Sequence, residues 1–307
     1  MAKYIVMFEG INQIEFSKQF KSNEDCFRYL ADHKWGKGFV CKRCANTTWY
    51  KGKTYYHRRC RKCLYDESAT SNTLFHDLKM PLLKAFQMTF RIAGKKKGMS
   101  TVELGAEVGV QQKTAWFFKK KLQIAMQPES KDVLKKQVEV DETLVGGYLE
   151  GQPGRSLEGK EAVMIGIEKI AEDQVGNIRL TQIENFQAAT LKTVIEKTID
   201  PKAQITSDKF PSYEALKKEM PNLKTEESEK GKGFELLHKQ IMLFKLWLRG
   251  IHHKCSSTHL QSYLDEYVFR FNHRNCRRRI FDILISKIMH FQPHPFPVRK
   301  KVCALIT

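Results

Sequence analysis

The stretch VEVDETLVGG, Val138–Gly147, decides the fold. Val138 and Val140 alternate with Glu139 and Asp141, and Leu144-Val145 resumes the apolar pattern before a Gly-Gly bend, which is the alternation of a half-buried strand. Two more β-like runs follow, Ala162–Ile170 and Asn177–Ile183, with a hairpin-like gap at Glu172–Gly176. A helix over about Ala188–Thr198 then leads to a short strand, Gln204–Ser207. Three strands, a helix, a strand and terminal helices predict an α/β domain. The charged patch KTEESEKGKG, Lys224–Gly233, reads as a turn.

Two further motifs stand beside Asp141. In ITSDKFPSY, Ile205–Tyr213, Asp208 ends a short apolar strand before a proline turn. In FELLHKQIMLFKLWLRG, Phe234–Gly250, His238 and Lys245 are seven residues apart, about two helical turns, and share a face. Two aspartates on neighbouring strand ends, with a third ligand from a helix, is how an RNase H-like fold holds two divalent ions. A neutral imidazole can serve as that ligand, and Lys245 would meet a phosphate oxygen. Spacing alone leaves the bland readings open: a solvated aspartate, and a histidine that packs or caps its helix. Glu235, three residues before His238, is the acidic competitor, but it is rotated off the His238–Lys245 line. An acidic residue in a first turn is accounted for by the helix dipole.

Upstream, Gln127–Lys136 reads as a polar linker, and before it the pattern is helical. Pro81–Ala93 forms one helix, ended by the basic turn GKKKG at Gly94–Gly98. Ser100 and Glu103 match a capping box for a short helix that stops near Gly109. A second helix opens around Gln111 and carries Lys119, Lys120 and Lys121. Two helices joined by a glycine turn, the second basic, predict a helix-turn-helix, with a plain helical hairpin as the alternative.

Cys41-x2-Cys44 and Cys60-x2-Cys63 are separated by fifteen residues, in a segment with almost no aliphatic core. Two such knuckles complete a tetrahedral, closed site for one structural zinc, which supplies the folding energy the segment lacks. A redox dithiol would need one CxxC beside a βαβ unit. Trp49, Lys51, Lys53, Tyr55, Tyr56, Arg58, Arg59, Arg61 and Lys62 interleave aromatic and basic groups suited to a nucleic-acid backbone, and His57 is expected on the surface. Ahead of the ribbon, NEDCFRYLADHKW reads as a helix with Asn23 as its cap candidate.

The 307-residue chain has a formal net charge of +19. Residues 51–100 hold 12 Lys and Arg against 3 Asp and Glu, and residues 251–307 hold 10 against 3. Residues 151–200 hold 6 against 8, so the charge lies in two blocks with a near-neutral middle, as for a polyanion crossing separate faces. No membrane span and no secretory leader are read, so the expectation is a soluble intracellular protein with Cys26, Cys255, Cys276 and Cys303 as reduced thiols.

Taken in order, WGKGFVCKRC, CRKC, SATSNTLFH, KKGMSTVELGAEVGVQQKTAW, VEVDETLVGG, ITSDKFPSY, LHKQIMLFKLWLRGIHH and YLDEYVFRFNHR resemble the zinc-ribbon DDE-type insertion-sequence transposases of the ISXO group. The third catalytic position in that family, seven residues before a lysine, is held by Glu, Asn or His. The resemblance therefore implies a triad of Asp141, Asp208 and His238, followed by Lys245. It implies a multi-domain α/β chain: a helical segment at 1–35, a zinc ribbon at 36–68, a helix-turn-helix region at 75–128, an RNase H-like (ribonuclease H fold) catalytic domain at 135–290 and a basic tail at 291–307. It further implies one structural Zn2+ and catalytic Mg2+ or Mn2+, two ions. The implied partners are double-stranded DNA, both terminal inverted repeats and target, and further copies of the chain in the DNA complex. The implied setting is the prokaryotic cytoplasm, at the nucleoid. Leu243 and Leu246 depart from the more polar or smaller residues expected on that helix, and His252, His253, Arg270, Asn272 and Arg274 also match family signatures. The competing readings are a catalytically decayed DNA-binding derivative and a zinc-ribbon protein acting on RNA.

Overall fold

Two capping boxes open the first helices. Asn12 and Ser22 each accept the backbone N–H of the residue three further on, Glu15 and Asp25, whose carboxylates return the bond to the cap. They start α1 (Gln13–Gln19) and α2 (Asn23–Trp35). Ser22, not Asn23, is thus the cap of α2, and Asn23 Oδ1 instead accepts from Leu83 N–H at 2.9 Å. The computed structural model describes residues 8–54, 56–146, 159–228, 233–252 and 255–291. Tyr55, the bend at Gly147, His253, Cys303 and the tail from 292 onward lie outside them. The described residues fall into two units, Met1–Met126 with Cys276–Thr307, and Gln127–Asn275.

In the first unit, β1 (Trp49–Lys51), β2 (His57–Cys60) and β3 (Asp66–Ser68) form an antiparallel sheet. Three helices follow, α3 (Leu82–Gly94), α4 (Thr101–Val108) and α5 (Gln112–Met126). Ser100 caps α4, but Glu103 gives its carboxylate to Lys95 at 2.6 Å, so only half of the expected capping box forms. Gly109 ends α4 in the left-handed region at φ 67°, and α5 begins three residues later. The core is aromatic: Phe16 and Phe90 sit 4.7 Å apart between ring centroids, and Phe20 and Phe86 sit 5.2 Å apart.

The chain returns to this core with α10 (Ile280–His290), which packs on α2, α3 and α5. Its Phe281 lies 5.4 Å from Phe8, and its fully buried Asp282 accepts from Tyr29 Oη and lies 3.0 Å from His33 Nε2. Residues 276–290, which the sequence reading placed in a domain at 135–290, cluster instead with the first unit, and α10 belongs to it. Nearly all of α10 is buried, so its sequence carries no one-sided pattern that would reveal its partner.

The second unit is a five-stranded sheet of order β6-β5-β4-β7-β8, with β4 (Gln137–Gly146), β5 (Lys160–Ala171), β6 (Gln174–Ile183), β7 (Gln204–Asp208) and β8 (Leu223–Glu226). β6, β5 and β4 are antiparallel, whereas β4, β7 and β8 run parallel. β8 takes Lys224–Glu226 out of the segment read as a turn. Its four residues, of which only Leu223 is buried, are too few to show a period. One sheet face is covered by α6 (Ala188–Thr198) and α7 (Pro211–Leu216), through Leu191, Ile195, Tyr213 and Leu216. The other is covered by α8 (Glu235–Ile251) and α9 (Ser257–Asn272), through Leu237, Phe244, Leu260 and Leu264. Burial on both faces explains the unbroken apolar run of β5.

The free edge of β6 is covered by side chains. Asn272 receives Ile178 N–H at 2.9 Å and donates to Ile178 C=O at 3.1 Å, imitating a neighbouring strand. Gln261 accepts from Gln182 N–H at 2.9 Å and donates to Leu180 C=O, and Arg274 donates to the carbonyls of Gly176 and Val175. Asn272 and Arg274, two of the signature residues of unassigned role, thus close a sheet edge.

Gln261 also donates to Asp265 at 2.9 Å, and burial pushes the Asp265 carboxyl up to about 6. A carboxyl held above its unfolded value favours folding only while protonated. Its contribution is complete below about pH 4 and is lost as pH rises through about 6, on the order of 3 kcal/mol. Asp265→Asn, which does not titrate, is expected to remove this loss. Denaturant unfolding at pH 4 and 7 checks it, and a wild-type pH dependence in the variant counts against it.

Candidate functional site

Each CxxC pair is built into the same turn. Cys41 N–H bonds Asn46 C=O and Ala45 N–H bonds Cys41 C=O, both at 2.9 Å. Cys60 repeats the pattern with Tyr65 and Leu64, at 2.9 and 3.1 Å. Ala45 and Leu64 both take φ of 58°, unusual for residues with a side chain, which shows how firmly each knuckle is set. The sulfurs of Cys41 and Cys63 lie 3.5 Å apart, as do those of Cys44 and Cys60, and all four gather within 4.8 Å. Tetrahedral zinc with bonds of about 2.3 Å needs this kind of spacing. Burial opposes ionisation of Cys60, yet backbone N–H groups of Cys63 and Lys62 and the Asn46 amide bring its thiol down to about 6. The donor set fits zinc. Burial instead pushes Cys26 up to about 12, as for an inert thiol.

The ribbon's cations are not equivalent. Arg58 is wedged between the rings of Trp35 and Trp49, at 4.7 and 4.3 Å, and is turned inward rather than offered to a partner. Lys51, Lys53, Arg59, Arg61 and Lys62 are exposed, with Arg61 resting 4.6 Å above the exposed ring of Tyr50. The three lysines of α5 do not form one basic face. Lys119 is buried and donates to Met99 C=O at 2.9 Å, while Lys120 and Lys121 are half-buried. Consecutive helical residues point about 100° apart, so a KKK run cannot share a side. The exposed start of α5 offers Gln112 and Lys113, preceded by exposed Gln111, which a search for lysine runs passes over.

The second unit brings the acidic positions together. β4 and β7 pair in parallel as far as Glu139 and Thr206, and two residues beyond lie Asp141 and Asp208, at equal depth on adjacent strands. Glu142 N–H donates to Asp141 Oδ1 at 2.7 Å, and Phe210 N–H donates to Asp208 Oδ1 at 3.2 Å, so local backbone fixes both carboxylates. α8 buries Leu237, Gln240, Phe244 and Leu248 and packs against β4 and β5. That seating leaves His238 half-exposed, with Nε2 3.5 Å from Asp141 Oδ2. Lys245 is half-buried. Burial and the nearby Arg249 lower its pKa, and the charge of Asp141 pulls it back up. Glu235 is exposed in the first turn of α8, where the helix dipole accounts for it. Two carboxylates and an imidazole are a donor set that a hard divalent cation accepts.

Sequence reasoning passed over Tyr213 and Glu142. Tyr213 is completely buried, and burial, Glu142, Asp141 and Asp208 together raise its pKa well above the ordinary phenol value. Both residues lie in otherwise apolar surroundings, where a polar group is the only signal.

Comparison with known proteins adds family and order. The family described as ISXO2-like transposase domain matches residues 133–272, and the transposase zinc-ribbon domain matches residues 21–66. No curated protein sequence matches the chain. A solved structure titled a pre-cleavage Mos1 transpososome is similar over 64% of this chain and 76% of its own, at 12% identity and a TM-score of 0.27. Among the described residues, no helix is long and apolar enough to cross a membrane. With the four-cysteine cluster and the aspartate-bearing sheet each inside the matching segment, the chain belongs to the family of transposases that join a zinc-ribbon domain to an ISXO2-like transposase domain.

Proposed function

We propose that the protein is an active, metal-dependent DNA transposase that hydrolyses phosphodiester bonds at the ends of its element and joins the freed 3′ ends to target DNA. The observation that carries this reading is the set of Asp141 and Asp208 at equal depth on adjacent parallel strands, with His238 Nε2 3.5 Å from Asp141. The second unit is then an RNase H-like domain, a reading supported by three antiparallel strands continued by two parallel ones. α4 and α5, joined by the turn at Gly109, are the helix-turn-helix, with α5 entering the major groove by its exposed first turn.

Asp141, Asp208 and His238 would hold Mg2+ or Mn2+. Such ions, when bound, polarise the phosphodiester and stabilise charge on the attacking and leaving oxygens. The Glu142 N–H keeps the Asp141 carboxylate from turning as substrate charge changes. Lys245, half-buried beside Asp141, presents its ammonium to a phosphate oxygen. One zinc at Cys41, Cys44, Cys60 and Cys63 holds the ribbon, whose Lys51, Lys53, Arg59, Arg61 and Lys62 contact the DNA backbone. Double-stranded DNA, terminal repeats and target, is the partner, several copies assemble on it, and the nucleoid is the setting.

The test is nicking of a supercoiled plasmid that carries the element's ends. Nicking that requires Mg2+ or Mn2+ and stops with a chelator is expected, whereas binding without nicking under any divalent ion would make the protein a decayed derivative. A second measurement addresses the surface. Neutralising Arg59, Arg61 and Lys113 together is expected to flatten the slope of log K against log salt, by about 0.9 for each phosphate no longer neutralised. Lys119→Ala is expected to leave that slope unchanged and to cost stability of about 1–3 kcal/mol, because Met99 C=O loses its buried donor. A slope altered by Lys119→Ala alone would place that residue on the DNA after all.

A further inference from the structure

The open side of α8 is apolar. Met242, Leu243 and Leu246 are 52, 39 and 58% exposed, and among the described residues no other helix or strand shows three large apolar side chains to solvent. They neighbour one another at helical spacings of three and four residues. Leu243 and Leu246 are also the two residues that stand where something smaller or more polar was expected. The fold does not need them. α8 is seated by Leu237, Gln240, Phe244 and Leu248, on its other side. Single apolar groups in water are ordinary, but a contiguous patch marks a surface that meets a partner.

Position and charge name that partner. His238, Met242 and Leu246 follow at four-residue steps and form one ridge along α8. On a helix of about 3.6 residues per turn, Met242 lies about 40° round from His238 toward solvent, and Leu246 about 80°. Along the axis, Met242 falls between His238 and Lys245. Beyond Glu235 the helix holds Lys239, Lys245 and Arg249 and no acidic residue, with exposed Lys239 and Arg249 at the two ends of the patch. A second copy docking here about a two-fold axis would bring these cations against themselves, whereas a polyanion is attracted. DNA carries broad apolar surface on its base faces, which open when a base step is unstacked, and Leu and Met side chains serve as wedges for this. We propose that Met242 and Leu246, with Leu243 beside them, insert into the DNA at the base step next to the cleaved phosphate, while Lys239 and Arg249 hold flanking phosphates. This rests on reading Asp141, Asp208 and His238 as the site of strand cleavage. Unstacking frees the strand to bring its phosphodiester down to the two aspartates. The wedge residues touch the DNA and take no part in the exchange of bonds.

The experiment places 2-aminopurine, whose fluorescence rises when it is unstacked, beside the cleavage position in a duplex that carries the element's end. Fluorescence is read in Ca2+, and nicking of the same duplex in Mg2+. The wild type is expected to raise the fluorescence severalfold. The double variant Met242→Gln, Leu246→Gln is expected to abolish the rise and to slow nicking about tenfold or more, with zinc content and Tm unchanged. Ile170→Gln, at another exposed apolar residue near the end of β5, is the control and should change neither readout. A mismatched pair at the same step is already open, and should restore nicking by the double variant to within about threefold of the wild type. Misfolding would not be rescued in this way. Wild-type nicking without a fluorescence rise would overturn the insertion and leave the transposase reading standing, as would a double variant equally slow on paired and mismatched ends. A double variant that loses self-association but keeps both DNA readouts would make the patch an interface between copies instead. No nicking by the wild type on either duplex, in Mg2+ or Mn2+, would remove the cleavage site itself, and the wedge with it.

Discussion

His238→Ala is expected to abolish Mg2+- or Mn2+-dependent strand cleavage, by a factor of at least about 100, while DNA binding persists. Outer partners of metal ligands alone are worth roughly 10–100-fold, so removal of a ligand should exceed that range. His238 is the α8 side chain that reaches Asp141, at 3.5 Å, and Lys245 follows it two turns on along the same flank. Glu235→Ala is the informative companion. A carboxylate is the harder ligand for Mg2+ and would be the natural third member of an acidic triad. Glu235 is nevertheless exposed at the first residue of α8, and its loss should cost a few tenths of a kcal/mol of helix-dipole stabilisation and little activity. Gel assays of cleavage and of binding on one substrate decide the matter. An active His238→Ala beside an inactive Glu235→Ala would make the triad acidic.

Cys60→Ser is expected to release the zinc and unfold the ribbon. Cys60 is fully buried, carries the thiol held near pH 6 by neighbouring N–H groups, and lies 3.5 Å from Cys44. The sheet it closes has a three-residue strand on either side of β2, too little apolar surface to stand alone. Structural zinc contributes roughly 10–16 kcal/mol to such folds, more than the stability of most domains. Zinc content should fall from about one per chain to near zero, with Cys26→Ser as the unaffected control. Full zinc occupancy in Cys60→Ser would refute the ligand set.

What could be seen in advance was local. The knuckles show in the spacing of Cys41, Cys44, Cys60 and Cys63, because both halves of each ligand pair sit within one turn. Asp208 shows as a polar residue ending an apolar strand, Asp141 as a polar residue within a strand pattern (the structure places it in mid-β4, not at the strand end expected), and His238 shows through its seven-residue distance from Lys245. Missed features depended on packing between distant segments. Asp282 and Lys287 suggest a half-exposed helix, yet α10 is almost entirely buried, with Oδ1 of Asp282 held by Tyr29 and His33 some 250 residues earlier. The three lysines of α5 look alike in sequence, and only the fold shows Lys119 turned inward to Met99. Tyr213 and Glu142 look like core and surface residues until β4 and α7 are brought together.

The covered edge of β6 bears on whether copies of the chain can join through their sheets. Adding strand to strand is a polymerisation, and a sheet has two ends at which it can grow. At one end Asn272, Gln261 and Arg274 already occupy hydrogen-bonding groups of Val175, Gly176, Ile178, Leu180 and Gln182, so growth there is terminated. The other end is β8, four residues long with Lys224 and Glu226 exposed, a poor initiator. In the assembly on DNA proposed above, copies of the chain would therefore meet through side chains, and separate again, without their sheets fusing.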